Sequence, residues 1–138
     1  MLENGDMLTV LQSLVFSALL AWLMILAASQ LRAKMWTAAG FKYAFGNRHE
    51  AIDVTPVADR ADRAARNMLE NLLLFAVLVL AARLSGHAGP WTTVGANLFF
   101  WARVAYWPLY LCGIPYVRSL AWAIAVVGLL MIGLDALG

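Results

Sequence analysis

The sequence predicts an all-α integral membrane protein that forms a bundle of four transmembrane helices. Of its 138 residues, 63% are apolar and only 13% are charged, whereas soluble domains usually carry about 25% charged residues. The mean hydropathy is +0.74, and four apolar segments approach or exceed the roughly 20 residues that a membrane span needs. This composition excludes an ordinary cytosolic enzyme, and a net charge of +2 is too small for a nucleic-acid binder.

The four predicted spans cover about 7–31, 59–84, 91–111 and 117–137. The first contains no charged residue, and the acidic Glu3 and Asp6 precede it where a cleaved signal peptide would carry basic residues, so we expect a retained helix. The second reaches a sufficient length only if it carries several polar residues into or near the bilayer. We therefore treat residues 1–138 as a single membrane domain.

Basic residues predict the orientation of the spans. They concentrate in the first loop, about 32–58, and in the residues that directly follow it, whereas the next turn holds only Arg83 and His87. Loops rich in lysine and arginine face the cytoplasm. We expect the first loop and the short link before Arg118 to be cytoplasmic and both termini to lie on the other side.

Polar side chains inside the second span predict a functional site. Arg63, Asn67 and Glu70 are spaced i, i+4 and i+7, so they share one helix face. Charged residues are costly within the bilayer and mark ligand or ion sites by default. The alternative is a structural network of ion pairs that locks helices or subunits together, and Arg66 is expected to belong to it by pairing with Glu70 or Asp62.

The third span adds a second polar face. Arg103, Tyr106 and Tyr110 are spaced i, i+3 and i+7, and Arg118 follows just past the next turn. Arg103 is expected to be a packing or inter-helix partner, the tyrosines could be interfacial aromatics, and Arg118 could be a span-end anchor. An excess of arginine beside one carboxylate suits a ligand with several carboxylates and one ammonium, because guanidinium groups bind carboxylates bidentately. Glutathione has that charge layout and adds a thiol.

At these residues the sequence resembles the MAPEG family, the membrane-associated proteins in eicosanoid and glutathione metabolism. The stronger motif is Arg63-Ala64-x-Arg66-Asn67-x-x-Glu70-Asn71, and the second is Arg103-x-x-Tyr106-x-x-x-Tyr110 followed by Gly113-Ile114-Pro115 and Arg118-Ser119. The turn Gly46-Asn47-Arg48 and the Gly-Ile-Pro link resemble the small bacterial members in particular. The resemblance covers nearly the whole chain and implies a bacterial inner-membrane protein.

The resemblance implies a homotrimer with glutathione bound between subunits near the cytoplasmic side. Its implied ligands for glutathione are Arg63, Asn67, Glu70, Tyr106 and Arg32, and its implied catalytic residues are Arg118 and Tyr110. No metal is implied. Asn71 stands where some glutathione-using members carry a tyrosine, and the spacing from Tyr110 to Arg118 differs by about one residue from the eicosanoid synthases.

Two functions follow as hypotheses. The first is a glutathione transferase or peroxidase that acts on lipophilic electrophiles or hydroperoxides arriving from the bilayer, with the thiolate stabilised by arginine or tyrosine. The second is a non-catalytic protein of the same fold that binds membrane lipids or an anion. A small four-helix multidrug transporter is disfavoured, because that class relies on an acidic residue in its first span and the segment 7–31 has none.

Overall fold

The computed structural model describes residues 8–138, which are helical apart from the two ends of that range and the links between helices. Met7, the first residue of the first predicted span, lies outside the described residues, as do Glu3 and Asp6. The helices are α1 (Val10–Ala33), α2 (Ala38–Phe45), α3 (Pro56–Leu84), α4 (Pro90–Leu111) and α5 (Pro115–Leu137). The four long helices lie within three residues of the predicted spans at each described end.

Side-chain caps and prolines define where the helices begin. Thr9 caps α1 by accepting a hydrogen bond from the Gln12 N–H, and the Gln12 side chain accepts one from the Thr9 N–H in return. A threonine also caps α2 and α3, and a proline opens α3, α4 and α5. Proline suits the first helical position because the N–H that it lacks would have no intrahelical partner. These signals explain why α3 and α5 begin earlier than their apolar segments do.

The loop predicted over 32–58 contains the short helix α2, which the sequence reasoning missed. Lys34 ends α1 in a left-handed conformation, with φ of 51°, and Thr37 starts α2 three residues later. α2 lies directly against the end of α1: a Cβ atom on Gly40 would be 2.1 Å from the carbonyl oxygen of Ala33. Glycine at position 40 therefore permits the close approach of the two helices.

Three helices of the described chain combine the length and hydropathy of a membrane span, namely α1, α3 and α5. α4 is also long enough, with 22 residues, but it does not reach the same hydropathy. Its polar side chains Asn97 and Arg103 are buried against the other helices. The low hydropathy of α4 thus reflects polar groups that face the interior of the protein.

The core lies between the four long helices, each of which contacts at least two of the others. Phe75 of α3 and Phe99 of α4 are fully buried and stack with ring centroids 4.3 Å apart. The backbones of α4 and α5 come into contact at Gly95 and Gly128, where a Cβ atom on either glycine would lie 2.5 Å from the carbonyl oxygen of the other. Small residues at a helix crossing allow such backbone contact in membrane proteins.

Polar contacts tie the helix ends together. At the end that carries the first loop, the Arg60 Nε donates to the carbonyl of Leu111, the last residue of α4, at 3.0 Å. At the opposite end, Asn97 exchanges two hydrogen bonds with the backbone of Leu8. Asp135 of α5 accepts from the Gly89 N–H and from both the N–H and the hydroxyl of Thr92. One carboxylate oxygen therefore caps the beginning of α4.

Replacing Asp135 with alanine is expected to lower the melting temperature of the detergent-solubilised protein by several degrees, because the first turn of α4 loses its cap. Thr92→Val should have a smaller effect, since the N–H groups of Gly89 and residue 92 still donate to the Asp135 carboxylate. Thermal unfolding followed by circular dichroism measures both variants. Asp53→Ala is the matched control, because it also removes one carboxylate but lies in the exposed first loop. A melting temperature for Asp135→Ala equal to that of Asp53→Ala would contradict the role of Asp135.

Candidate functional site

The candidate site lies at the end of the protein where α1 ends, α3 begins and the α4–α5 link turns. Its centre is the buried guanidinium of Arg103 on α4. The Arg103 Nη1 donates to the Asn67 Oδ1 at 2.7 Å, which links α4 to α3. The Arg103 side chain has no exposure to solvent, and its Nε and Nη2 find no hydrogen-bond partner within residues 8–138. Arg103 is thus an inter-helix partner, as the sequence led us to expect.

Aromatic rings surround this buried cation. The guanidinium carbon of Arg103 lies 5.0 Å from the ring centroid of Tyr106 and 5.5 Å from that of Phe99. Cation–π attraction contributes most when the charge is desolvated. The rings therefore partly compensate for the loss of water around a charge that makes one hydrogen bond in the described structure.

The array continues from Tyr106 to Arg118. Tyr106 is 4% exposed, and its ring centroid lies 5.3 Å from that of the half-buried Tyr110. The guanidinium carbon of Arg118 lies over the Tyr110 ring, 4.5 Å from the ring centroid. Asn67, Arg103, Tyr106, Tyr110 and Arg118 consequently form one contiguous line of contacts from α3 through α4 to the start of α5. We call these five residues the polar array.

The predicted face of α3 is divided in the structure. Asn67 is half-buried and turned to α4, whereas Arg63 and Glu70 are exposed. The Arg63 Nη2 pairs with the Asp59 carboxylate at 2.6 Å, one helical turn away. Asn67 also receives hydrogen bonds from the Asn71 Nδ2, at 2.8 Å to its carbonyl and 3.5 Å to its Oδ1. The structure thus brings Asn67 together with the tyrosines and Arg118, while Arg63 and Glu70 line the outer surface of α3.

Arg32 joins the site from α1 through an ion pair with Asp62 of α3. Asp62 therefore pairs with a residue of another helix. It does not pair with Arg66, which lies one turn further along α3. Within the described residues, Arg66 forms neither of the ion pairs expected for it. Arg32 also lines two cavities beside α2, of about 350 and 240 Å³, together with Ala33 and Tyr43.

Sequence reasoning missed two contributions to this region. Arg60 counted only as one of the basic residues near the first loop, yet its side chain holds the end of α4, where Gly113 turns with φ of 72°. Sequence reasoning assigned Asn71 no contact, although its spacing of four residues from Asn67 allows the hydrogen bond seen here. The spacing on α3 could have revealed the second contact, whereas the first needed the packing of α3 against α4.

The region can hold an anion by its charge and donors. Arg118 is half-buried and fixed against one ring, and the Asn67 Nδ2 is not engaged as a donor within residues 8–138. The exposed Glu70 carboxylate on the same helix suits an ammonium group. Arg32 and Arg63 are each paired with one aspartate, so a ligand carboxylate would share or replace those partners.

These features define a helical integral membrane protein with a polar, arginine- and tyrosine-rich site between its helices. A model of the MAPEG family matches residues 9–138, which is essentially the whole described chain. The protein belongs to the MAPEG family. That family includes glutathione transferases and peroxidases as well as non-catalytic members, and its members generally use glutathione. No individual curated protein and no solved structure matches the chain significantly.

Proposed function

We propose that this protein is a membrane-embedded, glutathione-dependent transferase or peroxidase that acts on lipophilic electrophiles or hydroperoxides from the bilayer. The observation that carries the proposal is the contact between Arg118 and Tyr110, at 4.5 Å, at one end of the polar array. This contact places the Arg118 guanidinium against the ring that carries the Tyr110 hydroxyl. A guanidinium and a phenol in one partly desolvated place both favour a thiolate over a thiol.

In the proposed complex, α3 and the end of α1 hold the ends of glutathione. Arg63 and Arg32 bind carboxylates, Glu70 binds the ammonium group, and the Asn67 amide donates to the tripeptide backbone. Tyr106 contributes a hydroxyl contact. Because Asn67 is fixed by Arg103 at 2.7 Å, its amide is oriented before glutathione binds, which lowers the entropic cost of binding.

The proposed chemistry begins with loss of the thiol proton and stabilisation of the thiolate by Arg118 and Tyr110. In the transferase reaction the sulfur attacks an electrophilic carbon, a carbon–sulfur bond forms, and the leaving group departs with the electron pair. In the peroxidase reaction the sulfur attacks one peroxide oxygen, the O–O bond breaks, and the alkoxide takes up a proton. The resulting sulfenic form of glutathione is reduced by a second glutathione, which yields the disulfide and water.

In this proposal α4 forms a fourth span. The protein assembles as a homotrimer, and its first loop is cytoplasmic. Exposed charges on α3 support an assembly of several copies: Arg66 and Glu70 lie on the surface of a candidate span. A charged side chain that faces lipid within the bilayer is unfavourable. A neighbouring subunit would cover these groups and complete a glutathione site. Both termini would then lie on the non-cytoplasmic side of a bacterial inner membrane.

A second candidate function has its own supporting observation. Arg63 and Arg32 are already paired with Asp59 and Asp62, and such pairing suits a structural network. In that case the protein binds an anion or membrane lipids without catalysis. It would then bind no glutathione and leave added thiol in its protonated form.

Glutathione is expected to bind the purified, detergent-solubilised protein with micromolar to low-millimolar affinity. The Arg63→Ala/Glu70→Ala double variant should weaken binding by about a hundredfold or more, because it removes two charged contacts that contribute about 1.5–3 kcal/mol each. Isothermal titration calorimetry measures the affinity, and near-ultraviolet absorbance measures the thiolate formed on binding.

Arg83→Ala provides the matched control, because Arg83 is an exposed arginine at the opposite end of α3. It should bind glutathione like the native protein. Absence of binding to the native protein would refute the glutathione proposal and favour the second candidate. Equal weakening by Arg83→Ala would show that the loss reflects net charge and not this site.

A further inference from the structure

The short helix α2 carries a surface whose role is not explained by the proposed glutathione site. Phe41 and Phe45 lie one turn apart on its outer side, with ring centroids 4.7 Å apart. They are 56% and 74% exposed, and Trp36, just before the helix, is 69% exposed. Three large aromatic side chains therefore project from a segment of ten residues. We call Trp36, Phe41 and Phe45 the aromatic face of α2.

α2 lies at the end of a candidate membrane span. Gly40 packs against the Ala33 and Lys34 carbonyls of α1 so closely that a Cβ atom would lie 2.1 and 2.2 Å from their oxygens. α1 is the least charged of the candidate spans, with a mean hydropathy of 2.2 in its most apolar window. When α1 crosses the bilayer, its last turn lies near the lipid headgroups, and α2 lies there with it.

Basic side chains accompany the aromatic face. Lys42 is exposed on α2 between the two phenylalanines, and Lys34 precedes the helix. Arg48 follows it, with its Nε and Nη2 donating to the Ala44 carbonyl at 3.3 and 3.1 Å, so its guanidinium is held at the end of α2. Glu50 and Asp53 are the nearest acidic residues along the loop, and they line a cavity with Ala39 and Tyr43. That cavity lies on the side of α2 opposite Phe41 and Phe45.

We propose that α2 is an interfacial helix: its aromatic face inserts among the acyl-chain ends and Lys34, Lys42 and Arg48 bind anionic phospholipid headgroups. Aromatic side chains prefer the membrane interface, and basic residues beside them are attracted to anionic lipids. The partner is the leaflet in which α1 ends. This inference depends on α1 as a span and is independent of glutathione binding.

The position of α2 can be tested with a fluorophore in reconstituted vesicles of the full-length protein. Cys112 is exposed and is first replaced, Cys112→Ser, after which Phe45→Cys supplies one site for a bimane label. Vesicles of phosphatidylcholine contain a brominated lipid as a contact quencher. We expect strong quenching at position 45 and little at the matched position Glu50→Cys, because Glu50 lines the cavity on the side of α2 opposite Phe45.

The lipid preference is tested at the same label. At equal mole fraction in phosphatidylcholine vesicles, brominated phosphatidylglycerol should quench position 45 more than brominated phosphatidylcholine does. Half-maximal quenching should need a roughly fivefold lower mole fraction of the anionic lipid, which is the enrichment expected from about one effective cation. Lys34→Gln/Lys42→Gln/Arg48→Gln should remove this difference, whereas the charge-conserving Lys34→Arg/Lys42→Arg/Arg48→Lys should keep it.

Each alternative outcome overturns part or all of the proposal. No quenching at position 45 by either lipid would mean that α2 faces water or another protein. Disulfide crosslinking between unlabelled copies of the Phe45→Cys variant in the same vesicles would identify a second copy as the cover of the aromatic face. Equal quenching by the two lipids would retain insertion but refute recognition of anionic headgroups.

Discussion

Replacing Gly128 with alanine is expected to destabilise the protein by about 1–3 kcal/mol, the usual cost of forcing an extra methyl group into a packed core. A Cβ atom at this position would lie 2.5 Å from the Gly95 carbonyl oxygen and 3.0 Å from the Phe99 backbone nitrogen. Backbone atoms cannot rotate away as a side chain can, so α4 and α5 must separate. Valine at position 128 should cost more than alanine does.

Gly133→Ala is the matched control for this experiment. It lies five residues further along α5, where a Cβ atom would meet only the Leu78 Cδ2, at 3.7 Å. Unfolding of the detergent-solubilised protein by added denaturing detergent, followed by circular dichroism, compares the two variants. Gly133→Ala should remain as stable as the native protein. If Gly128→Ala is equally stable, the close crossing of α4 and α5 does not exist in the membrane protein.

Gly95→Ala should resemble Gly128→Ala, because a Cβ atom at either position meets the carbonyl oxygen of the other. In the Gly95→Ala/Gly128→Ala double variant, one separation of α4 and α5 makes room for both methyl groups. Its loss of stability should therefore be smaller than the sum of the two single losses, which is the behaviour of residues in direct contact. Strict additivity would indicate two independent sites of strain.

Replacing Arg118 with glutamine is expected to lower kcat/KM for glutathione conjugation by about a hundredfold. Reducing a thiol pKa from about 9 to about 7 requires about 2.7 kcal/mol of differential stabilisation of the thiolate, within the reach of one arginine in a low-dielectric site. The guanidinium carbon of Arg118 lies 4.5 Å from the ring centroid of Tyr110. The thiolate absorbance of bound glutathione should fall together with the rate.

Tyr110→Phe distinguishes the two groups that could stabilise the thiolate. It keeps the ring that positions Arg118 and removes only the hydroxyl. If Arg118 stabilises the thiolate, Tyr110→Phe should lose much less activity than Arg118→Gln. The opposite order would assign thiolate stabilisation to the tyrosine hydroxyl and leave Arg118 as a positioning residue. Glutathione affinity, measured in parallel, shows whether either variant merely loses binding.

Much of the helical architecture could be predicted from sequence because apolar runs and prolines carry it. The third and fourth predicted spans, 91–111 and 117–137, differ from α4 and α5 by at most two residues at any end. α2 could not be predicted in this way, since eight residues form barely two turns and its periodicity is too short to recognise. Its position depends on Gly40 packing against α1, which is a tertiary contact.

The candidate site was predictable in its residue types but not in its pairings. Local spacing suggested that Arg66 pairs with Glu70 or Asp62, yet Asp62 pairs with Arg32 of another helix. Spacing also grouped Asn67 with Arg63 and Glu70, whereas Asn67 turns to Arg103. Helical periodicity gives the face of an isolated helix, and only the packing of α3 against α1 and α4 decides which side chains on that face are covered. The roles of the site residues stay predictions.

The pairing of Arg103 with Asn67 has a consequence for how the chain enters the membrane during its synthesis. α4 carries a fully buried arginine and falls short of the hydropathy of the candidate spans, so as an isolated segment it would partition poorly from the insertion machinery into lipid. α3, which presents the Asn67 acceptor, leaves the ribosome first, and α5 follows α4 after a three-residue link. We expect α4 to enter the bilayer together with its neighbours, so that changes to α3 or α5 alter the insertion efficiency of a helix whose own sequence is intact.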